Sequence, residues 1–292
     1  MTTVAFIGLG AMGSRIAMNL HQAGFKLRVY NRDRAKTKAL AEKGAEVADS
    51  PAAAARGAKF VVSMVADDNA SRAVMLGDSG VLGGAVAGTI IIDSSTNSPA
   101  LAREMAKAAA ERKSIYLDAP VSGSTVQAQN KELVFMVGGD EAAFGKAQPL
   151  FAAMGRMARR VGDSGAGATI KLVNNMLSGT MTAALAEAAQ VAEAAGVDQA
   201  AALEILGEGA AASRLLKTKL PKMFKRDFSP QFQLELMEKD LRYFLALAQE
   251  LDRPSPISSL VRSQYQSARR ASIGKLDACA VFLQAAGEKP AS

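Results

Sequence analysis

The sequence predicts an α/β domain with a doubly wound, mostly parallel sheet, followed by an all-α domain, with one long helix linking the two. Strand and helix patterns alternate through the first half of the chain, as a parallel sheet requires. From Gly165 to Gly196 a proline-free stretch rich in Ala, Leu and Met predicts a single helix. Only helical patterns follow it, the last of them over 272–286.

The chain has 292 residues, more than one hydrophobic core usually holds, so two domains are expected. We place an α/β domain at 1–163 and a helical domain at 164–292, which begins with the long helix. The last four residues, 289–292, are expected to be a frayed tail.

The composition excludes several classes of protein. Charged residues make up 22% of the chain and no apolar run is long enough to span a bilayer, so no membrane segment is expected. The first strand pattern begins within three residues, which leaves no room for a signal peptide. A single cysteine, Cys279, excludes an internal disulfide framework. These observations predict a cytoplasmic protein.

The formal net charge of +7 is modest for this length. The basic clusters carry no interleaved aromatic residues that could stack on bases, so nucleic-acid binding is not expected. A positive field suits a small anionic substrate and a phosphorylated cofactor instead.

His21 is the only histidine, so a Ser-His-Asp or Cys-His triad would have to include it. A zinc centre with His and Cys ligands is excluded, and no metal is expected. Proton transfer therefore falls to Lys, Asp, Glu, Tyr or water.

The first predicted strand, Thr3–Ile7, runs into a G-x-G-x-x-G turn that opens a helix, as in Rossmann-type domains. The first glycine makes the turn, the second admits a pyrophosphate, and the third lets helix and strand pack closely. This arrangement predicts dinucleotide binding, with a purely structural turn as the alternative. The residues concerned are Gly8, Leu9, Gly10, Ala11, Met12 and Gly13.

The end of the second strand bears on the choice of dinucleotide. An NAD site usually has Asp or Glu there, whereas this chain has Asn31 and Arg32. Asn31 removes a carboxylate that would repel a 2′-phosphate, and Arg32 offers a planar donor group for it. NADP(H) is therefore favoured over NAD(H). In the alternative, Arg32 is an exposed turn residue.

Ligands of doubly wound sheets bind at the carboxyl ends of the strands. Val65, Ala66 and Thr96 follow such ends. The loop from Asp118 to Ser124 also follows a strand, and its backbone N–H groups and hydroxyls suit a carboxylate ligand. By itself this loop is equally consistent with a proline-stiffened turn.

In the long helix, Lys171, Asn174, Asn175 and Ser178 share one face. Such a cluster adds nothing to helix stability, so it is either a solvated stripe or part of a site.

Four motifs together resemble the β-hydroxyacid dehydrogenase family, which includes 3-hydroxyisobutyrate dehydrogenase and glyoxylate/succinic semialdehyde reductase. They lie in the family's order along nearly the whole chain, at Gly8–Gly13, Asp118–Gly123, Gly165–Asn175 and Lys239-Asp240. The resemblance implies an NAD(P)-dependent oxidoreductase that interconverts a short β-hydroxy acid and its semialdehyde or oxo acid.

The resemblance also implies roles for single residues. Lys171 is the expected general acid/base, and Asn175 is the second expected catalytic residue, which orients it. The expected substrate-binding residues are Ser122 and Gly123, which hold a carboxylate, with Phe232 and Asp240. Beyond the glycine turn, the expected cofactor contacts are Asn31, Arg32, Val65, Ala66, Thr96 and Lys239.

Two departures from the family pattern concern the substrate, and the sequence does not select one. Val65-Ala66-Asp67 stands where the family usually has proline, and Ser124 replaces a second glycine. An imine reductase-like enzyme and a non-catalytic NADP-binding protein are the alternatives, and Lys171 argues against both.

A homodimer is expected, with a homotetramer as the alternative. The far half of the long helix, 183–195, is small and apolar over much of its surface, which suggests burial against another subunit.

Overall fold

In the computed structural model, residues 2–288 are described, so the predicted frayed tail at 289–292 lies outside the described residues. The chain divides into two compact units, Met1–Lys171 and Leu172–Ser292. This division falls inside one continuous helix. The boundary predicted between residues 163 and 164, ahead of that helix, stays a proposal.

The first unit is built on a sheet. Its strands in the described part of the chain are β1 Thr3–Ile7, β2 Lys26–Tyr30, β3 Glu46–Val47, β4 Phe60–Ser63, β5 Ile90–Asp93, β6 Ile115–Asp118, β7 Val121–Ser122, β8 Leu133–Gly138 and β9 Gly155–Gly162. Their order is β3-β2-β1-β4-β5-β6-β8-β7, with β9 paired to β8. Among the described strand pairs, β8 runs antiparallel to β6 and to β7, and the other pairs are parallel. The predicted doubly wound, mostly parallel sheet is confirmed.

Helices cover both faces of this sheet. They are α1 Gly13–Gln22, α2 Lys38–Ala41, α3 Pro51–Ala55, α4 Asp68–Met75, α5 Val81–Gly84, α6 Pro99–Glu111, α7 Thr125–Gln129 and α8 Glu141–Met154. Several begin at a capping side chain. Ser98, for example, accepts a hydrogen bond from the Leu101 N–H at 3.2 Å, and Pro99 occupies the first helical position.

The side chains of β1 point alternately to the two faces of the sheet, and each face has its own hydrophobic core. Phe6 packs in a cluster with Leu20 of α1 and Leu150 of α8. Ile7 points to the other face, where its cluster includes Leu101 and Met105 of α6. Successive side chains of a strand face opposite sides, so a strand covered on both faces is apolar throughout.

The second unit is helical, as predicted. The long helix α9 spans Ala166–Ala194 and is followed by α10 Gln199–Glu208, α11 Arg214–Phe224, α12 Leu234–Glu250, α13 Pro256–Ala268 and α14 Val281–Ala286. Tyr265, Phe282 and Leu241 are fully buried in a separate core. No helix within residues 2–288 combines the length and the apolarity that a bilayer crossing needs.

The last predicted helix is shorter than expected. Ser272 has a left-handed backbone with φ of +65°, and it interrupts the short helical turn Arg269–Ile273 that follows α13. A short 3₁₀ turn at Ala278–Ala280 follows, and α14 starts only at Val281. The helix expected over 272–286 is therefore wrong for its first half.

Candidate active site

The glycine turn between β1 and α1 has room only for glycine at two positions. Gly8 has φ of +95°, and a Cβ there would meet the carbonyl oxygen of Met64. A Cβ on Gly13 would meet the carbonyl oxygen of Gly8. Around Gly10, by contrast, a Cβ would find no atom within 4 Å. This open space in front of the α1 N-terminus fits a pyrophosphate.

Asn31 supports the same turn. Its Oδ1 accepts a hydrogen bond from the Leu9 N–H at 2.8 Å, and its Nδ2 donates to the carbonyl oxygen of Asp33 at 2.8 Å. Arg32 follows with an exposed side chain. The structure thus brings Asn31 to the predicted cofactor turn and shows that its amide uses both its donor and its acceptor.

The loops that follow β4 and β5 are tied to each other. Ser95 Oγ accepts a hydrogen bond from the Val65 N–H at 2.9 Å. The Asp68 carboxylate accepts two more, from the N–H of Ser98 at 2.9 Å and from its hydroxyl at 2.7 Å. These hydrogen bonds join the loop that contains the predicted contacts Val65 and Ala66 to the loop that contains Thr96.

A buried carboxylate, Asp93, lies beneath these loops with 1% of its surface exposed. Its donors are the hydroxyls of Ser63, Ser71 and Tyr116, the amide of Asn97 and the backbone N–H of Ser95. Burial, and then the charge of Asp93, raise the pKa of the Tyr116 phenol. Asp93 therefore organises the loops on which the predicted cofactor contacts lie.

The predicted carboxylate-binding loop contains the short strand β7, which pairs with β8 through Ser122 and Val134. Gly123 has φ of +130°, and a Cβ there would lie 2.8 Å from the Leu133 side chain. Ser124 donates its N–H and its hydroxyl to Gln127 Oε1, at 2.9 and 2.6 Å. Ser124 is thus engaged with α7, which leaves Ser122 and Gly123 as the candidate donors.

Asn19 joins this loop region to helix α1, which follows the glycine turn. It lies in α1 and is 3% exposed, and its Nδ2 donates to the Ala128 carbonyl oxygen of α7 at 2.7 Å. Helix α1, which follows the glycine turn, and helix α7, which follows the loop containing Ser122 and Gly123, are therefore fixed to each other.

The start of α9 is held by Asp118, the last residue of β6. Oδ1 accepts a hydrogen bond from the Gly165 N–H and Oδ2 accepts one from the Ala168 N–H, both at 2.8 Å. Burial raises the pKa of the Asp118 carboxyl to about 6, although both N–H groups act in the opposite direction. Lys171 follows on α9 and is 8% exposed.

In the helical unit, three predicted residues form one buried cluster. Asn175 Nδ2 donates to Asp240 Oδ2 at 2.6 Å, and Asn175 Oδ1 accepts from the amide of Asn174 at 3.0 Å. Lys239 Nζ lies 3.3 Å from Asp240 Oδ1 and 5.2 Å from the centroid of the Tyr243 ring. The structure therefore joins Asn175, Asp240 and Lys239 through direct contacts.

Phe232, the remaining predicted substrate residue, is half-buried and held by its backbone. Asp277 Oδ2 accepts hydrogen bonds from the N–H groups of Gln231 and Phe232, at 2.9 and 3.1 Å. Asp277 is itself fully buried and forms an ion pair with Lys219 at 2.7 Å.

In residues 2–288, no group of three His, Cys, Asp or Glu side chains could hold a metal.

Two protein-family models match this chain. Residues 3–170 match the model of the NAD-binding domain of 6-phosphogluconate dehydrogenase. Residues 165–283 match the NAD-binding model of NADP-dependent 3-hydroxyisobutyrate dehydrogenase. Together the two models cover both units.

Similar individual proteins extend over almost the whole chain. 2-(Hydroxymethyl)glutarate dehydrogenase of Eubacterium barkeri is 35% identical over 96% of this chain and 93% of its own length. Glyoxylate/succinic semialdehyde reductase 1 of Arabidopsis thaliana is 34% identical, with 96% of each chain covered. The chain belongs to the β-hydroxyacid dehydrogenase family.

A solved structure of the family gives the same result. The 3-hydroxyisobutyrate dehydrogenase of Mycobacterium tuberculosis, solved with L-serine, superposes with a TM-score of 0.89 at 31% identity, covering 97% of this chain and 99% of that one. As a β-hydroxyacid dehydrogenase, this protein is an NAD(P)-dependent oxidoreductase.

Three supporting residues of this β-hydroxyacid dehydrogenase were not among the predicted ones: Asp93, Asn19 and Asp277. Asp93 carries the clearest sequence signal, since an acidic residue ends an otherwise apolar strand. Asn19 and Asp277 lie in segments whose patterns are ordinary, so only the structure identifies their partners.

Proposed function

We propose that this protein is an NADP(H)-dependent enzyme that interconverts a short β-hydroxy acid and its semialdehyde or oxo acid. The observation that carries the proposal is the buried lysine, Lys171, on the helix whose first turn Asp118 fixes. Ser122 follows on the same stretch of chain as Asp118. An acid/base group and a carboxylate-binding loop are what this reaction requires.

Lys171 is assigned the proton transfer. In the direction of reduction, its Nζ gives a proton to the carbonyl oxygen while the carbonyl carbon receives a hydride. In oxidation the same nitrogen takes the proton back. The bound nicotinamide supplies or accepts the hydride. Removing an ammonium group from water favours its neutral form, which allows a lysine to act in both directions near neutral pH.

The carboxylate of the substrate is assigned to the Ser122 hydroxyl and the Gly123 N–H. The names of both relatives refer to carboxylate compounds, a glutarate in one case and glyoxylate in the other. The overall positive charge of +7 also favours an anion. Phe232 and Asp240 are proposed to line the substrate, and Asn175 to orient Lys171.

NADP(H) is the proposed cofactor. The glycine turn would receive the pyrophosphate, Arg32 the 2′-phosphate, and Val65, Ala66, Thr96 and Lys239 the nicotinamide end. The model matched by the second half of the chain is that of an NADP-dependent enzyme. A cytoplasmic homodimer, with a homotetramer as the alternative, remains our prediction for the assembly.

The decisive experiment is Lys171→Ala, assayed with NADPH and NADH against glyoxylate and succinic semialdehyde, and with NADP+ and NAD+ against 3-hydroxyisobutyrate. We expect kcat to fall by roughly 10²–10⁴-fold, the usual contribution of a general acid/base, with NADPH affinity retained. Lys107→Ala, an exposed lysine on α6, is the matched control and should behave as wild type. Near wild-type turnover in Lys171→Ala would contradict the assignment of proton transfer to Lys171.

The cofactor assignment is tested by Arg32→Ala. Loss of a charge-assisted contact should weaken NADPH binding by roughly 10–100-fold and leave NADH binding nearly unchanged. Arg34→Ala removes a neighbouring arginine that pairs with Asp49 at 2.6 Å, and it should affect neither cofactor. Equal losses for NADPH and NADH in Arg32→Ala would refute the 2′-phosphate assignment.

A further inference from the structure

We infer that Asp118 is a positioning residue for the reaction: its carboxylate fixes the first turn of α9, and with it Lys171, relative to the carboxylate-binding loop. The inference rests on the proposed role of Lys171. It concerns a residue whose two carboxylate oxygens accept from backbone N–H groups and that acts through the helix it caps.

The cap has two points of attachment. One oxygen binds the Gly165 N–H before the helix and the other binds the Ala168 N–H in its first turn, each at 2.8 Å. Asp140 at the start of α8, by comparison, uses one oxygen, on the Ala143 N–H at 2.7 Å. A cap with two points fixes the rotation of the first turn as well as its distance from the strand.

Glycines on both sides make this contact close. A Cβ on Gly138 of β8 would lie 2.6 Å from Asp118 Oδ1. A Cβ on Gly167 of α9 would lie 2.6 Å from the Asp118 carbonyl oxygen. The start of α9 therefore packs directly against backbone atoms of the sheet. Its first turn cannot shift without displacing the Asp118 carboxylate.

The same residue leads directly into the loop that binds the carboxylate. Ser122 lies four residues after Asp118, and Lys171 lies three residues after Ala168, about one helical turn. Asp118 thus connects Ser122 and Lys171, the two residues proposed to bind opposite ends of a short substrate. A displacement of about 1 Å between such groups can cost roughly 100-fold in rate.

Among the described residues, three ionisable groups lie on the elements next to Asp118 and its cap. Asp93 is its register partner on β5, Tyr116 lies on its own strand, and Arg103 of α6 approaches Gly165. Burial raises the pKa of the Asp118 carboxyl to about 6, so protonation below that pH removes one acceptor from the cap.

The test compares Asp118→Asn with Asp198→Asn, which alters an exposed cap on the Ala201 N–H of α10. With glyoxylate or succinic semialdehyde and NADPH, Asp118→Asn should lower kcat about 10-fold or more, with KM and NADPH affinity changed less than about threefold. For the wild type we expect kcat to decline below about pH 6, and Asp118→Asn should lack this decline. Asp198→Asn should match wild type.

Unchanged kcat in folded Asp118→Asn would overturn the inference, whatever its melting temperature. If that variant does not fold, the wild-type pH profile decides: a kcat that is flat from about pH 5 to 7 would contradict the role of Asp118. Inactive Lys171→Ala beside fully active Asp118→Asn would refute this inference alone, whereas active Lys171→Ala would refute the proposed function.

Discussion

The two units bury their carboxylates in different ways. In the first unit, Asp93 and Asp118 accept hydrogen bonds from hydroxyl, amide and backbone N–H groups. In the helical unit, Asp277 pairs with Lys219 at 2.7 Å, and Glu238 pairs with Arg262 at 3.1 Å. Asp93 and Asp118 are thus held by neutral donors, whereas Asp277 and Glu238 each pair with a cation as well.

The difference is visible in the pKa values of Asp118 and Asp277. Burial raises the pKa of Asp118 to about 6, because neutral donors offset only part of the cost of a buried charge. Burial acts on Asp277 as well, but the Lys219 charge and the hydrogen bonds outweigh it, so the Asp277 pKa falls below its ordinary value. The Asp118 carboxyl therefore titrates near pH 6, and the Asp277 carboxyl titrates in stronger acid than an ordinary aspartate.

Breaking the buried ion pair should have the largest effect. Lys219→Met keeps most of the side-chain volume but leaves Asp277 charged and buried, which we expect to cost about 3–5 kcal/mol of unfolding free energy. Urea unfolding followed by circular dichroism measures the loss. Lys217→Met is the matched control, because Lys217 is 58% exposed and pairs with Glu208 at 3.4 Å. A control loss above about 1 kcal/mol would contradict the comparison.

The pH dependence of stability should have opposite signs at the two sites. The folded-state pKa of Asp118 is raised from 3.8 to about 6, so its stabilising contribution is present below 3.8 and is lost as pH rises towards 6. The lost contribution is about 3 kcal/mol. The folded-state pKa of Asp277 is lowered, so its contribution is present above 3.8 and is lost in stronger acid.

Unfolding free energies between about pH 3 and 7 test these signs. Asp118→Asn should remove a fall in stability from about pH 4 to 6, and Asp277→Asn should remove a fall below about pH 4. The same pH dependence in both variants would mean that neutral donors and cations are equivalent here.

The smallest effect is expected at Asp93, where hydroxyl donors can adapt. In Asp93→Asn, the hydroxyls of Ser63 and Tyr116 can turn and accept from the new amide. The Ser95 N–H on Oδ1 cannot accept, so it keeps its partner only if the new amide nitrogen takes the Oδ2 position. There the Asn97 amide must turn over to accept, and it gives up its donor contact with the Ser71 hydroxyl. We expect a loss of about 2 kcal/mol, measured by urea unfolding, together with weaker NADPH binding.

Asp140→Asn is the control for that variant, since asparagine caps helices about as well as aspartate. It should change stability little. A loss as large as that of Asp93→Asn would show that the substitution itself, rather than the buried network, causes the effect.

The sequence predicted those parts of the protein that depend on local pattern. The glycine turn, the strand–helix alternation and α9 all follow from residues close together in the chain. Asp93 and Asp277 were missed, because their partners lie far away. Ser63 precedes Asp93 by 30 residues, and Lys219 precedes Asp277 by 58.

The misjudged helix over 272–286 has a similar cause. Two backbone N–H groups at the start of α12, those of Leu234 and Glu235, donate to the carbonyl oxygens of Leu276 and Gly274, at 2.9 and 3.0 Å. The first turn of a helix needs such acceptors. The segment around residue 274 therefore serves as the cap of another helix, which no local propensity reveals.

The double hydrogen bonding of Asn31 has a consequence for protein engineering. An aspartate at this position would be the obvious substitution for directing the enzyme towards NADH. It would still accept from the Leu9 N–H, but its second oxygen would face the Asp33 carbonyl oxygen, to which the amide now donates at 2.8 Å. A redesign at position 31 is therefore expected to disturb the turn that we propose binds the pyrophosphate. A change of coenzyme is better begun at Arg32, whose exposed side chain can be replaced without altering the backbone beneath it.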